Sequence, residues 1–298
     1  DRADADEDES DMAAGRLVLP VVDLASPDVR SVAEAVRKAC VESGFFYVTN
    51  HGIQDELLDA VFAESKKFFE LPLEEKMLLL RNSSHRGFTP PYDEKLDATS
   101  EFQGDLKESF YIGPVGDVDM PNDPNQWPSK ERFPSWKDTM KLYHATALAA
   151  GKRILSLIAL SLDLDAEFFQ NIGAFDSPSA VIRLLHYSGE VNESDNGNYG
   201  ASAHSDYGMI TLLATDGTPG FRYVGRRIRI PSSGKMFLTL MGKFFFITSN
   251  IAWWRSFGIH HLGLESWNSF CNSIPVMFGW HGIGLSFHLA NPSKYPHV

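Results

Sequence analysis

Helical periodicity in this chain is confined to its first 163 residues, and residues 179–216 read as strand and turn. "DVRSVAEAVRKACVESG" (28–44) repeats apolar positions at Val32, Val36 and Ala39/Cys40 and stops at Gly44, which predicts an amphipathic helix. "DELLDAVFAESKKFFELP" (55–72) places Leu58, Val61, Phe62, Ser65 and Phe69 on one face and ends at Pro72. Residues 135–163 predict a long helix that turns Met140, Tyr143, Ala147, Ile154, Leu157, Ile158 and Leu162 inward. Strands are expected in "LVLPVVDL" (17–24), "FFYVTNHGI" (45–53), part of 104–114, "SAVIRLLHYSG" (179–189) and, as a strand pair, 203–216. "HRGFTPPYDEKLD" (85–97) reads as a loop, because Gly87 and Pro90-Pro91 oppose regular structure, and 192–200 as a turn-rich connection. There is no internal repeat. Helices first and a mainly β region after them predict an α+β, mainly β fold.

Charge narrows the partners. A net charge of −12 over 298 residues argues against nucleic acid and against an anionic membrane surface. No apolar run is long enough to span a bilayer, and no signal pattern opens the chain. Two cysteines, Cys40 and Cys271, make neither a disulfide framework nor a cysteine zinc site, so a reducing, cytoplasmic setting is expected. Residues 1–11, "DRADADEDESD", carry seven acids and almost no apolar surface, and are expected to form a disordered acidic leader.

The chemistry-bearing stretch is "HSDYGMITLLATDGTPG" (204–220). His204 and Asp206 flank one residue, so in a strand their side chains leave the same face. Imidazole and carboxylate suit Fe(II), and a facial site of this kind needs one more histidine from elsewhere.

The motifs "LPVVDL", "SGFFYVTNHGI", "FFELPLEEK", "HRGFTPPYDEKLD", "GDLKESFYIGP", "RLLHYSG" and the His204 stretch together resemble the non-haem Fe(II)- and 2-oxoglutarate-dependent oxygenases, in the branch similar to isopenicillin N synthase and plant small-molecule oxygenases. The resemblance covers residues 17–220. It implies a double-stranded β-helix (jelly-roll) barrel behind an N-terminal helical region, with Fe(II) as metal and 2-oxoglutarate as co-substrate. It implies that a small organic metabolite is hydroxylated or desaturated, with succinate and carbon dioxide as co-products. His204 and Asp206 match the first two metal ligands. Tyr187 matches a tyrosine that lines the co-substrate pocket, although Leu185 and Ser188 replace the family's usual Asn and Pro around it. Tyr207 and Thr211 are placed to line the cavity. His51 matches a structural turn, and Arg183 reads as an ion-pair partner at the core edge or as a substrate clamp.

Beyond Gly220 the resemblance stops, and the tail shows no clear helical or strand period. The family pattern requires a second metal histidine and then an Arg-x-Ser whose arginine holds 2-oxoglutarate. No arginine comes after Arg255; His260 and His261 are the candidates for the missing third ligand, but their surroundings do not match. Charge changes at the same point: residues 1–220 carry 19 Lys+Arg against 38 Asp+Glu, residues 221–298 carry 8 against Glu265 alone. Nucleotides encoding residues 221–231, read with a one-base offset, can also encode "LQVCREKDKNP". The same offset through 232–242 permits "LKWEDVPHLDG", and both readings are family-like. The chain divides into four segments: the leader 1–11, an N-terminal dioxygenase region 12–130, the long helix and first half of the jelly roll 131–220, and an atypical tail 221–298, frame-shifted and intron-derived. On this reading the barrel is incomplete after residue 220 and its closing strands are missing. Two further readings stay open: a non-catalytic truncated product or binding module, and a metalloprotein that uses His204, Asp206 and His260 or His261 without 2-oxoglutarate.

Overall fold

A computed structural model describes residues 19–42, 44–95, 104–115, 123–175, 180–187 and 209–216 in full, and the backbone of 179, 201–204, 221–223, 226–227, 237–241, 276–278 and 282–290. The leader 1–11, Asp206, Tyr207, Cys271, His260 and His261 lie outside these residues.

Three long helices form where the apolar spacing predicts them: α1 (Val29–Glu42), α2 (Asp55–Phe69) and α3 (Trp136–Ser161). Asp28 starts α1 by accepting the Ser31 N–H on its carboxylate at 3.1 Å. Gly44, at φ 71°, ends it by donating its N–H to the Ala39 carbonyl at 2.9 Å, a left-handed turn that glycine makes without a Cβ penalty. In α2 the acids Asp55 and Glu56 open the helix and Lys66 and Lys67 close it, which complements the helix dipole. The expected core faces are buried, except that Val32, Phe62 and Leu157 are only partly so and Phe68 joins the α2 face.

The strands are β1 (Val21–Asp23), β2 (Phe45–Thr49), β3 (Gly87–Thr89), β4 (Glu108–Ile112), β5 (Ser179–Tyr187), β6 (Ala201–His204), β7 (Ile210–Thr215), β8 (Phe221–Tyr223), β9 (Arg226–Arg227), β10 (Phe237–Met241), β11 (Val276–Phe278) and β12 (Gly282–Ala290). They form an eight-stranded sheet in the order β1-β2-β10-β7-β12-β5-β4-β3 and a four-stranded sheet in the order β6-β11-β8-β9. β1 runs parallel to β2, and the other pairings are antiparallel.

Three expectations change. The loop at 85–97 contains a short strand, β3, because Gly87 sits at φ 113° and Phe88 buries its ring beside Phe68. The strand pair at 203–216 divides between the two sheets: β6 pairs with β11, while β7 pairs with β10 and β12. The chain after Gly220 does supply sheet strands. β10 lies between β2 and β7, and β12 lies between β7 and β5 over Gly282–Ala290. "FLTLM" and "GIGLSFHLA" are short and largely apolar. A strand is defined by its backbone ladder rather than by its side-chain period, so the missing period in this tail did not exclude strands there.

The large sheet turns one face to the helices. Phe88, Phe110, Ile112, Ala180, Ile182, Leu184, Ile210, Leu212 and Ala214 belong to the same buried core as the inner faces of α2 and α3. Phe68 anchors it, edge-on to Phe110 at 4.9 Å and to Phe69 at 5.5 Å, and tilted against Trp136 at 5.3 Å between ring centroids. Period-two alternation then sends Thr89, Ser109, Tyr111, Arg183, Leu185, Tyr187, Thr211 and Leu213 to the opposite face.

Candidate functional site

His204 is the last residue of β6 and stands opposite Val276 of β11. Tyr187 closes β5, buried, and stands opposite Gly282 of β12. Thr211, also buried, lies on β7 opposite His288 and Leu240. Tyr187 and Thr211 thus share the sheet face turned away from the helices, while the His204 backbone belongs to the second sheet. Among the described residues no three His, Cys, Asp or Glu side chains are grouped for a metal ion, and Asp206, His260 and His261 are not among them. His51 is held in a turn, where its Nδ1 accepts the Ile53 N–H at 3.2 Å. This agrees with the structural reading of that residue.

The main polar feature of the described residues is one the motif reading did not isolate. Glu94 is the hub of a buried charge cluster at the β3–β4–β5 end of the large sheet. Its Oε1 accepts the Tyr111 hydroxyl at 2.8 Å and Arg81 at 3.3 Å. Its Oε2 accepts Arg183, and Lys107 lies 3.5 Å from it. Lys107 also donates to Asp105 at 2.5 Å. The guanidinium carbons of Arg81 and Arg183 lie 4.7 and 4.8 Å from the centroid of the Tyr111 ring. The segment that carries Glu94 is tied down by backbone bonds: Asp105 N–H to the Glu94 carbonyl at 2.8 Å, and Tyr92 N–H to the Asp105 carbonyl at 3.1 Å.

Burial raises the Glu94 pKa, but Arg183, Lys107, the Tyr111 hydroxyl and Arg81 together hold the carboxyl below its ordinary value. Burial, and then the Arg183 charge, pull the Lys107 ammonium down, with Glu94 and Asp105 opposing. Burial raises the Tyr111 phenol. Of the two sequence readings of Arg183, the ion-pair partner is the one seen. The signal that could have exposed the cluster is the pair Lys107-Glu108 opening an otherwise apolar strand: charges there need partners.

The fold and its relatives agree. A family model described as the N-terminal region of the non-haem dioxygenases in morphine synthesis matches residues 19–130. A 2-oxoglutarate-dependent dioxygenase of Monascus ruber is 30% identical over 247 residues, covering 75% of this chain and 74% of that protein. The chain belongs to the 2-oxoglutarate-dependent dioxygenases. Azadirone synthase of Melia azedarach is 39% identical over 205 residues, covering 66% of this chain and 61% of that protein, so this chain spans about 61% of the length of that curated relative. A full-length Neurospora crassa protein, solved in complex with alpha-KG, superposes with a TM-score of 0.71 at 24% identity. The match covers 92% of this chain and 85% of the other, a likeness of fold. Fe(II) and 2-oxoglutarate are the cofactor pair of this family, and such oxygenases carry the jelly-roll fold. No helix among the described residues is long and apolar enough to cross a membrane.

Proposed function

We propose that this chain is built as an Fe(II)- and 2-oxoglutarate-dependent oxygenase that hydroxylates or desaturates a small organic metabolite. The observation that carries the reading is the His204-x-Asp206 sequence, whose histidine is the last residue of β6, in a chain of this family. An imidazole and a carboxylate are a donor set that suits Fe(II). His204 and Asp206 would hold two of three protein positions, and His260 or His261 is the candidate for the third. Bound iron supplies, with 2-oxoglutarate and dioxygen, the oxidising power to break an unactivated C–H bond, with succinate and carbon dioxide as co-products.

The chain's own residues do the rest. Tyr187, at the end of β5, would line the co-substrate pocket, and Thr211, on the same sheet face, would line the cavity, a role the family resemblance also gives to Tyr207. The sheet face that carries them would fix the substrate's approach, while the helices brace the sheet from its other side. Relatives such as azadirone synthase are named for small-molecule products, which supports a small organic substrate here. In this reading residues 12–130 are the N-terminal region and 131–220 carry the first half of the jelly roll. The protein works in the cytoplasm.

A second reading is favoured by one observation: no arginine comes after Arg255 to hold 2-oxoglutarate, and Glu265 is the sole carboxylate side chain after Gly220. In it the tail 221–298 is a frame-shifted, intron-derived segment that supplies sheet strands but no anchor for 2-oxoglutarate, and the chain is not a catalyst. Anaerobic Fe(II) titration followed by assay of succinate released from 2-oxoglutarate separates the two. The oxygenase reading requires stoichiometric iron and succinate, both lost in His204→Ala. Neither appears if the second reading holds, and the transcript across residues 215–250 then carries the offset.

A further inference from the structure

The Glu94 cluster brings two guanidinium groups to one carboxylate and one aromatic ring. Among the described residues three cations, Arg81, Lys107 and Arg183, face two carboxylates, Glu94 and Asp105, in a largely buried place. Two guanidinium groups share the ring of Tyr111 and the carboxylate of Glu94. The cluster is not sealed: the Arg183 side chain is 12% exposed and that of Arg81 30%. On the same sheet face, Thr89 stands opposite Ser109 in register, and Ser109 opposite Leu185. Thr89 and Ser109 are each 1% exposed, and neither hydroxyl oxygen has a hydrogen-bond partner among the described residues. A buried hydroxyl without a partner is uncommon and marks a place where an acceptor belongs. The face is also the one that carries Tyr187.

We propose that Arg81 and Arg183, held in place by Glu94 and Tyr111, form a docking point for the carboxylate of a small organic-acid substrate, with the Thr89 and Ser109 hydroxyls as nearby donors to its oxygens. A planar guanidinium is the side chain best matched to a carboxylate. A bound carboxylate would offset the repulsion between Arg183 and Lys107. The buried carboxylate of Glu94 sets the orientation of both arginines. It also competes for them, which makes it a positioning residue that limits affinity. As a statement of substrate class, the proposal rests on the oxygenase reading; as a binding site, it does not need turnover.

The test is therefore run without iron and without 2-oxoglutarate. The full chain is titrated, by calorimetry or saturation-transfer NMR, with small alicyclic and aromatic monocarboxylates, each paired with its own primary amide. Acids are expected to bind at least about tenfold more tightly than their amides, with a preference that weakens as salt is raised. Arg183→Gln and Arg81→Gln should each remove most of that preference, and Thr89→Val should weaken acid binding about threefold. Glu94→Gln should tighten it, a direction that a purely structural role does not produce. Equal affinity for acids and amides, no saturable acid binding at millimolar concentration, or an acid preference untouched in the arginine variants overturns the proposal. Should an arginine variant fail to fold, Thr89→Val and the salt dependence still decide it. Loss of succinate formation alone would count against the oxygenase reading and leave this one standing.

Discussion

The imidazole of His186 lies against the ring of Phe69, with centroids 5.3 Å apart and planes 23° from parallel. The stack leaves His186 Nδ1 on Glu108, 2.8 Å from Oε1, while Lys76 donates to Oε2 at 2.7 Å. Glu108 and Lys76 are both buried, and each is the other's ion-pair partner. Glu108→Ala strands Lys76 in the core and should cost about 3–5 kcal/mol, whereas Lys76→Met with Glu108→Leu should recover most of that loss. Urea denaturation of the single and double variants measures both.

His144 gives the stability a pH dependence. Burial lowers its pKa from the ordinary 6.5, and its Nε2–H donates to the Ala180 carbonyl at 3.0 Å, which acts the other way. Well above pH 6.5 the ring is neutral in the folded and unfolded chain alike and contributes no slope. Below pH 6.5 the unfolded chain takes up the proton first, so stability falls as the pH drops and levels off only below the folded pKa. The slope from this group approaches about 1.4 kcal/mol per pH unit at most. His144→Gln should flatten the stability profile below pH 6.5 relative to the parent chain, as measured by thermal melts across that range.

Gly87 stands at φ 113°, and a Cβ there would meet the Leu79 carbonyl oxygen and the Gln126 side-chain amide. Gln126 Nε2 binds the carbonyls of Leu80 at 2.6 Å and Arg86 at 2.7 Å, so moving it breaks further bonds. Gly87→Ala should therefore destabilise by more than the roughly 1 kcal/mol of a glycine replaced in an open left-handed turn. Gly52, at φ 85° with open space around its Cβ position, is the matched control. Denaturant midpoints of the two alanine variants give the comparison.

Phe68→Ala should cost about 3–5 kcal/mol, because it empties the centre of an aromatic group that includes Phe88, Phe110 and Trp136. Calorimetric melting checks it. Phe68→Leu should recover more than half of the loss.

Much of this architecture is legible from residue pattern. The spacing of Val36, Ala39 and Cys40, with Gly44 after them, marks α1 and its end, and Met140 to Ile158 mark α3, because one buried face imposes a 3.6-residue period. The site is legible only in part. His204 and Tyr187 stand out by motif, yet the assignment of β6 and β7 to different sheets is a long-range outcome that no local period encodes. Glu94 shows the same gap. It sits in a proline-bearing loop and gains its meaning from Arg183, 89 positions away. The strands β10 and β12 escaped pattern reading because their places between β2 and β7 and between β7 and β5 are set by long-range backbone pairing, which no local period encodes.

The place of β10 between β2 and β7 governs how the protein can be made. β1 and β2 emerge from the ribosome early, but the edge of β2 has no partner until Phe237–Met241 has been synthesised, and β5 and β7 are bridged only after Gly282–Ala290. The large sheet therefore cannot zip up from its N-terminal end as translation proceeds. The nascent chain holds open strand edges through most of its synthesis, a state prone to mispairing with other chains and one in which chaperones have time to act. A nonsense codon between β7 and β10 would leave the same edges open for good, so such a shortened product should be found in aggregates or cleared by proteolysis.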